Sequence, residues 1–507
     1  MFQPKLFGFN LQRSSPPLKK FPNSFHGRFS SLSTLSFYFL SSLLFSSLPL
    51  SHHFPIQVQG NWPNHGGDLH NRRYANRETK ISPSTVSDLR LKWEFYAGGD
   101  ISVTPAIYDG AIYFPSWNGF LYAVRASNGA LIWKKNLQKL TGFNNTGFIL
   151  NVNSTVSRST PTVTGELLLV GIYGPAVVIA VKRSTGKLVW STRLDYKNRS
   201  FITMSGTYYK GSFFIGTSSL EEGFPVEQCC TFRGSFSKLD AMITTATPNN
   251  TPERPFGAAA PPSIPSGISS TLPPETSTLH RSLGGYDVWF GACNWHLDPR
   301  CPPGPSSDSD FWESPMMLSV FVRNMKRDIV VAVQKSGFAW ALDRHNGNLV
   351  WFVKLTKWWA RGWTRRSRWG RDVGRSDRRE KGLHSQLKNF TLKPTNTTTI
   401  AGGWVAMEAQ TGNIIWSTAN LNDVTAPGPV TVANGVVFAG STYRQGPIYA
   451  MDAKRGKMLW SYDTGGSVYG GISVSKGCIY VGNGYKEHIG FVNKNYTAGT
   501  SLYAFYV

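Results

Sequence analysis

The sequence has few acidic residues and few cysteines. Of its 507 residues, 29 are Asp or Glu and five are Cys, against 53 Lys or Arg. It also lacks the residue spacing of a zinc site, a Ser/His/Asp constellation and a glycine-rich phosphate loop. These absences remove the common hydrolase and nucleotide-binding interpretations, so the function has to be sought in other patterns.

The shortage of acids leaves a formal net charge of +24. A nucleic-acid surface requires basic residues concentrated on one patch. Outside the N-terminal region and one basic stretch at residues 357–382, the excess positive charge is spread along the chain. We therefore predict no nucleic-acid partner. A moderately basic extracellular protein suits acidic cell-wall polysaccharide, which is a candidate partner.

Only one long apolar run is present, and it lies near the N-terminus. Five basic residues precede the run at residues 35–50, and small residues follow near Gly60. Serines interrupt the run, and it is short for a membrane span. This order predicts a secretory signal peptide over residues 1–60, with a retained membrane anchor as the alternative.

Sequons and cysteines agree with secretion. We expect an extracellular, cell-wall glycoprotein with no membrane contact after signal cleavage. Cys293 and Cys301 bracket a proline-rich loop and are able to pair, whereas Cys478 is left over. Seven N-x-S/T sequons occur, at Asn144, Asn153, Asn198, Asn249, Asn389, Asn396 and Asn495.

A repeated hairpin pattern predicts the fold. Each copy has an apolar strand, a polar turn with Gly and a second strand ending in Trp, and such units must stack to bury their apolar faces. We predict an all-β propeller over residues 61–507, in which each repeated Trp packs between adjacent blades and its N–H bonds a carbonyl. The copies lie at residues 121–133, 178–190, 339–351, 404–416 and 448–460, with a truncated sixth at 236–241.

The chain ends suggest how the ring closes. Residues 501–507 read as the first half of a repeat without its second half, and residues 91–99 read as a second half that carries Trp93. Pairing these strands would complete one blade and remove two exposed edges. Two unrelated edge strands are the alternative.

Two segments break the repeat. Residues 244–282 are rich in Pro, Ser and Thr, which predicts a disordered or aberrant linker where about one blade is missing or disrupted. Residues 357–382 form an aberrant basic insert rich in Arg, Trp and Gly. We interpret the insert as a frame or gene-model artefact, with a nucleic-acid surface as the alternative.

With the repeats placed, the chain resembles the pyrroloquinoline-quinone-dependent alcohol dehydrogenases, and in particular their plant polyvinyl-alcohol dehydrogenase-like branch. Residues 61–75 resemble the opening motif W-x-x-x-x-x-D-x-x-x-x-R-Y of that family, and residues 81–95 match its I-x-x-x-x-V-x-x-L-x-x-x-W run. The resemblance implies an eight-bladed propeller, here with about one blade disrupted. It also implies pyrroloquinoline quinone (PQQ) and Ca²⁺ as cofactors.

The resemblance also implies cofactor contacts. Lys335 occupies the place of a Lys that contacts the quinone oxygens, and a fixed cation there would stabilise the anionic reduced quinone. Cys229 and Cys230 are similar to a vicinal disulfide that covers the quinone in some members. Arg233 and the following Gly match an R-G pair after the metal-ligand Glu.

The metal ligand is then Glu222 or Glu227, because a hard cation takes carboxylate oxygen. The spacing from Arg233 is longer than is usual in the family, so both candidates stay open.

The catalytic base is where the sequence departs from the family. Residues 284–293 align with a D-x-W-D segment whose second Asp takes the proton from the alcohol, and Phe290 stands in that place. A phenyl ring cannot accept a proton, so Asp287, displaced by three positions, is the candidate base. The T-G-N motif that supplies an Asn ligand is absent.

Two functions therefore remain open. The first is a secreted quinoprotein dehydrogenase that oxidises a small alcohol or polyol and passes the electrons to an external acceptor. The second is a propeller without catalysis that binds cell-wall polysaccharide or protein, which Phe290 and the missing Asn favour.

Overall fold

The structure is a computed structural model. It describes residues 60–143, 154–197, 200–219, 234–242, 286–287, 292–293, 315–322, 325–333, 338–355, 375–378, 381–385, 390–489 and 495–507. The predicted signal peptide, apart from Gly60, and the predicted linker at 244–282 lie outside these residues. No helix in the described ranges has the length and apolarity needed to span a membrane.

The first strands of the chain join sheets formed much later in the sequence. They are β1 (Tyr74–Ala75) and β2 (Arg90–Tyr96), separated by a 3₁₀ turn at Val86–Asp88. Blade 1 then consists of β3 (Ala106–Tyr108), β4 (Ala111–Ser116), β5 (Phe120–Arg125) and β6 (Leu131–Asn136), followed by helix α1 (Leu137–Thr141). Blade 2 consists of β7 (Thr162–Thr164), β8 (Leu167–Ile172), β9 (Val177–Lys182) and β10 (Leu188–Arg193).

The middle of the chain contains one partial sheet and two blades. The partial sheet has β11 (Ser200–Phe201), β12 (Thr207–Tyr209), β13 (Ser212–Ser219) and β14 (Ser235–Asp240), with β11 and β12 both on one side of β13. A small pair, β15 (Tyr286–Asp287) and β16 (Ala292–Cys293), precedes blade 3, which has β17 (Met316–Val322), β18 (Met325–Val333), β19 (Phe338–Asp343) and β20 (Leu349–Lys354). Blade 4 has β21 (Arg375–Arg378), β22 (Lys381–Ser385), β25 (Gly403–Glu408) and β26 (Ile414–Ala419), with the hairpin β23 (Phe390–Thr391) and β24 (Thr398–Thr399) between them in sequence.

The last part of the chain completes two blades with the earliest strands. A 3₁₀ turn at Leu421–Asp423 precedes blade 5, in which β1 pairs in parallel with β27 (Thr431–Ala433), followed by β28 (Val436–Gly440), β29 (Pro447–Asp452) and β30 (Met458–Asp463). The terminal blade has β31 (Ser473–Ser475), β32 (Cys478–Gly482), β33 (Ser501–Tyr506) and β2, with helix α2 (Lys486–Ile489) between β32 and β33.

The all-β propeller fold is confirmed, but the count of eight blades is wrong for the described structure. Within the described ranges, six blades are formed in addition to the four-stranded partial sheet. Among the described residues, the last strand of the partial sheet is β14, which holds the truncated repeat at residues 236–241. Part of the segment predicted as a basic insert, Arg375–Arg378, pairs as an antiparallel strand in blade 4.

The two ends of the chain pair as the sequence suggested. Strands β2 and β33 run antiparallel, with Arg90 opposite Tyr506 and Tyr96 opposite Ser501. An outer strand from the N-terminal part thus completes a blade made by the C-terminus. Closure of the entire ring stays a prediction.

The repeated tryptophans join neighbouring blades, as predicted. The indole N–H of each donates to a backbone carbonyl of the next unit, which satisfies the polar edge of a largely buried ring. These contacts show which units are neighbours. The order is blade 3, blade 4, blade 5, the terminal blade, blade 1, blade 2 and the partial sheet. The pairs are Trp351–Ala409, Trp416–Ala453, Trp460–Leu89, Trp93–Ala126, Trp133–Arg183 and Trp190–Ala241, at 2.8 to 3.2 Å.

Two physical reasons explain why the turn of the repeat contains glycine. Gly456 has φ +70°, a backbone conformation that L side chains rarely adopt. A Cβ at this position would also lie 2.5 Å from the ring of Trp416 in the preceding blade. Glycine therefore serves both the turn and the contact between blades.

Candidate functional site

The opening motif, residues 62–75, lies among the innermost strands of the blades. Its backbone hydrogen bonds reach four of them, and β1 extends blade 5. We call these residues the plug, because they occupy space that the described inner strands surround. The bonds join Trp62 to Ile107 of blade 1, Pro63 to Val163 of blade 2, His70 to Met317 of blade 3 and Arg73 to Val432 of blade 5.

Arg73 holds the plug from inside. It is 1 % exposed, and it donates to the carbonyls of His65 and Val430 and to the hydroxyls of Thr104 and Thr431. Burial lowers the pKa of Arg73 to about 9, so its charge persists at neutral pH. A buried guanidinium that bonds carbonyls and hydroxyls of blades 1 and 5 fixes these two blades relative to the plug.

His65 lies in the plug beside Thr104. Its Nδ1 lies 3.4 Å from the hydroxyl of Thr104. Burial, together with the charge of Arg73, lowers the pKa of His65 well below its usual value, so the imidazole is neutral at neutral pH. Its place in the plug agrees with packing.

The segments that lead into the innermost strands lie beside one another. The N–H of Thr160, before β7, donates to the hydroxyl of Ser205, before β12, at 2.9 Å. A Cβ at Gly470, before β31, would lie 2.5 Å from the carbonyl of Val103, before β3. We call this side of the blades the strand-start face.

Arg158 is the prominent cation of this face. Its Nη2 donates to the phenol oxygens of Tyr469 at 2.6 Å and of Tyr485 at 3.3 Å. The two tyrosine rings stack at 3.7 Å with an interplanar angle of 2°, and the guanidinium carbon lies 5.3 Å from the Tyr469 ring. Arg158 precedes blade 2 whereas both tyrosines belong to the terminal blade, so the contact passes over blade 1, which lies between them.

Thr160, two residues after Arg158, offers a buried hydroxyl. It is 1 % exposed, and its Oγ1 has no hydrogen-bond partner in the described part of the chain. A buried polar atom without a partner costs roughly 1–3 kcal/mol. A guanidinium and a hydroxyl in one lead-in segment suit an oxygen-rich anionic ligand.

Asp100 fixes the loop that carries Tyr485. Its carboxylate accepts the N–H of Glu487 and the N–H of Gly499, each at 2.8 Å. Asp100 is 1 % exposed, and burial raises its pKa to about 6 although these backbone N–H groups act in the opposite direction. The carboxyl is a structural anchor, because backbone N–H groups engage both of its oxygens.

Asn483 has the same structural role. Its Oδ1 accepts the N–H of Thr500 and of Ser501 at 3.0 Å, and its Nδ2 donates to the carbonyl of Thr464 at 2.8 Å. The side chain is engaged by backbone on both sides. It therefore does not take the part of the missing Asn ligand.

All sequence-predicted site residues except Asp287 lie outside the described residues. For Asp287 the structure gives only the backbone, which pairs with Ala292 in the two-stranded β15–β16 sheet. The others are Lys335, Arg233, Cys229, Cys230, Glu222 and Glu227, and their roles stay predictions. No cluster of three or more His, Cys, Asp or Glu that could hold a metal ion occurs among the residues that the structure describes.

The connections that contain those residues leave from the same face as Arg158. Because β12, β13 and β14 are antiparallel, Ser219 and Ser235 end their strands at the strand-start face. Antiparallel pairing of β17, β18 and β19 places Val333 and Phe338 at the equivalent edge of blade 3. Residues 220–233 and 334–337 are therefore attached at the face that carries Arg158.

Sequence reasoning missed Arg158, although a pattern was available. Blades 1 and 2 share a Thr-Pro pair before the inner strand, at Thr104 and Thr160. Aligning these pairs sets Arg158 against Ser102. A charged residue where the sister blade has a small one indicates a special role at the centre of the ring.

Comparisons with known proteins agree with this architecture. A family model described as outer membrane protein assembly factor BamB matches residues 118–208 and 398–497, which contain four of the Trp repeats. Polyvinylalcohol dehydrogenases from Sphingopyxis sp. (strain 113P3) and from Pseudomonas sp. are 24% and 23% identical to this chain. The first alignment covers 84% of this chain and 72% of the relative, and the second covers 85% and 74%.

A solved structure supports the fold. The quinohemoprotein alcohol dehydrogenase from Comamonas testosteroni superimposes with a TM-score of 0.59 at 19% identity, covering 88% of this chain and 80% of that chain. This chain is thus similar to quinoprotein alcohol dehydrogenases in sequence and fold. Among them, the polyvinylalcohol dehydrogenases match it along most of its length. The plant branch stays a prediction.

Proposed function

We propose that this chain is a quinoprotein dehydrogenase of the polyvinyl-alcohol dehydrogenase type, which oxidises an alcohol or polyol with PQQ and Ca²⁺ as cofactors. The observation that carries the proposal is the strand-start face, where Arg158 lies and where the connections containing Lys335, Glu222 and Glu227 are attached. The alignment with polyvinylalcohol dehydrogenases over 84% of the chain supports it.

The described residues fit the anionic part of such a cofactor. Arg158 and the orphaned hydroxyl of Thr160 would hold carboxylate oxygens, and the two phenols now bonded to Arg158 keep its guanidinium in place. A metal would depend on Glu222 or Glu227, since the described residues supply no ligand cluster of their own. A bound PQQ supplies the uptake of the two electrons that leave the alcohol.

The residues of this chain would have separate tasks. Arg158 neutralises negative charge at the strand-start face, and Asp100 keeps the loop with Tyr485 in position. Asp287 is proposed to hold the proton released by the alcohol. Arg73 would keep the plug fixed against blade 5. We propose secretion and an external electron acceptor for the same molecule.

Titration of the purified chain with PQQ, with and without Ca²⁺, tests the proposal. We expect saturable binding near one per chain and a rise in thermal stability, since a ligand at 100 times its Kd stabilises the folded state by about 2.7 kcal/mol. Arg158→Gln should weaken binding about tenfold or more, as the loss of a charge-assisted hydrogen bond predicts. Arg125→Gln, an exposed arginine of blade 1, is the matched control.

One sequence observation favours a second function. Phe290 stands where related enzymes have the Asp that takes the proton. A propeller without catalysis, which binds polysaccharide or protein at the same face, would explain it. Binding of PQQ together with dye-coupled oxidation of an alcohol would exclude this alternative, and absence of PQQ binding at millimolar Ca²⁺ would exclude the dehydrogenase.

A further inference from the structure

A cavity of about 230 Å³ opens where the inner strands end, opposite the strand-start face. Residues 75–80, which follow the plug, line one part of it, and residues 474–476, at the end of β31, line another. Trp62 of the plug, 1 % exposed, also lines it. We call it the strand-end cavity.

Among the described residues that line this cavity, the one carboxylate, Glu78, joins two of its segments. Oε1 of Glu78 accepts the N–H of Lys80 at 2.8 Å and the N–H of Ile81 at 3.3 Å. Oε2 accepts the N–H of Gly477, in the turn after β31, at 2.8 Å. Glu78 thus joins the two lining segments and shapes the cavity.

Three cations line the cavity together with this single acid. Arg77, Lys80 and Lys476 form no ion pair with any residue that the structure describes, so the lining carries three positive charges against one negative charge. The buried indole N–H of Trp62 likewise has no acceptor within the described ranges. A concave site with an excess of positive charge attracts an anion.

The volume of the cavity and its neutral lining residues restrict the class of ligand that it could bind. Liquid water occupies about 30 Å³ per molecule, so the cavity matches roughly eight waters and is smaller than a drug-sized site. The side chains of Asn76 and Thr79 add neutral hydrogen-bonding groups beside the cations. We propose that the strand-end cavity binds a hydroxylated carboxylate of monosaccharide size, namely a uronic acid, with Arg77, Lys80 and Lys476 on its carboxylate.

Calorimetric titration with glucuronate and with glucose tests the charge requirement, because the two sugars differ chiefly in the carboxylate. At low ionic strength we expect glucuronate to bind once per chain and glucose to bind at least tenfold more weakly. At 1 M salt, where screening acts over about 3 Å, glucuronate binding should fall sharply. Equal affinity for both sugars, no glucuronate binding at 10 mM (about two decades above a 100 µM Kd), or equal affinity for sulfate would overturn the proposal.

Substitutions locate the site. The double variant Lys80→Gln, Lys476→Asn should weaken glucuronate binding about tenfold or more, and Asn tolerates the φ of +50° at Lys476. Lys210→Asn is the matched control, because Lys210 has φ +46° in the equivalent turn of the partial sheet. Equal weakening by the control would overturn the assignment, and unchanged thermal unfolding verifies that both variants fold.

Comparing a single sugar acid with a short oligomer distinguishes the source of the uronic acid. A trigalacturonate that binds tighter than galacturonate would indicate the end of an acidic polysaccharide, and equal affinities would indicate a free sugar acid. Either result supports the proposed chemistry. The cavity lies at the end of β31 away from Tyr469, so failure here leaves the PQQ titration of the strand-start face unaffected.

Discussion

The plug and the strand-start face are each organised by an arginine, but the partners of the two arginines differ. Arg73 is 1 % exposed and donates to backbone carbonyls as well as hydroxyls, whereas the contacts seen for Arg158, which is partly exposed, include two phenol oxygens. Carbonyls buried with a guanidinium cannot find water when it is removed. The guanidinium of Arg158, in contrast, is partly exposed and can also contact a ligand. The difference separates an arginine of the framework from an arginine of the site.

The largest expected effect comes from the framework arginine. Arg73→Ala should lower the free energy of unfolding by about 3–5 kcal/mol, because it leaves a carbonyl of blade 5 and a carbonyl of the plug without their donor. Urea unfolding measures the loss. Arg72→Ala is the control, since Arg72 forms a partly exposed ion pair with Asp68 and should cost at most about 1 kcal/mol. Equal losses would remove the distinction between the buried and the partly exposed arginine of the plug.

Substitution of Asp100 tests whether this buried carboxyl makes the stability of the protein depend on pH. Its folded pKa of about 6 lies above the ordinary 3.8, so its contribution to stability is fully present below pH 3.8 and is lost as the pH rises through about 6. A rise of about two units corresponds to roughly 3 kcal/mol. The stability of the protein relative to Asp100→Asn should therefore fall by about that amount between pH 4 and 7. A constant difference across this range, by urea unfolding, would contradict the buried carboxyl.

Two glycine substitutions separate the contribution of the contact between blades to stability from that of backbone strain in the turn. Gly456→Ala places a Cβ 2.5 Å from Trp416 at φ +70°, whereas Gly110→Ala has φ +72° with nothing within 4 Å. We expect about 1 kcal/mol of destabilisation for the second from backbone strain, and a further 1–3 kcal/mol for the first from overpacking. Thermal unfolding of both proteins gives the difference. Equal losses would show that the Trp contact adds nothing to the turn.

The smallest effect on stability should come from the site arginine. Arg158→Gln should change the free energy of unfolding by less than about 1 kcal/mol, because Arg158 is partly exposed and Gln keeps an N–H donor for the buried phenols of Tyr469 and Tyr485. Chemical denaturation without added ligand measures it. A loss as large as that of Arg73→Ala would make Arg158 part of the framework and would weaken the proposed cofactor contact.

The fold was largely predictable, because its pattern is local. The hairpin repeat placed Trp133, Trp416 and the others between neighbouring blades, and the indole N–H bonds are those expected of a buried ring. The pairing of β2 with β33 followed from two unpaired half-repeats. The number of blades was wrong, because it came from the family resemblance rather than from counting complete repeats.

The candidate site was less predictable, because its contacts join distant residues. Arg158 and Tyr469 are 311 positions apart, and no local pattern pairs them. The opening motif was recognised, but its place among the inner strands was not, since the bonds of Pro63 and His70 are made by backbone atoms of other blades. Backbone partners leave no mark on the side-chain pattern.

The sequence by itself determined the repeat, the turn glycines, the tryptophan contacts and the joining of the two termini. Each follows from residues close in sequence or from a half-repeat that lacks its complement. Only the tertiary structure decided that Arg73 is buried in a plug, that Arg158 lies on two stacked tyrosines and that Arg77, Lys80 and Lys476 line one cavity. The physical reason is that a propeller brings the ends of many short strands to its centre, so neighbours there are set by the arrangement of blades and not by distance along the chain.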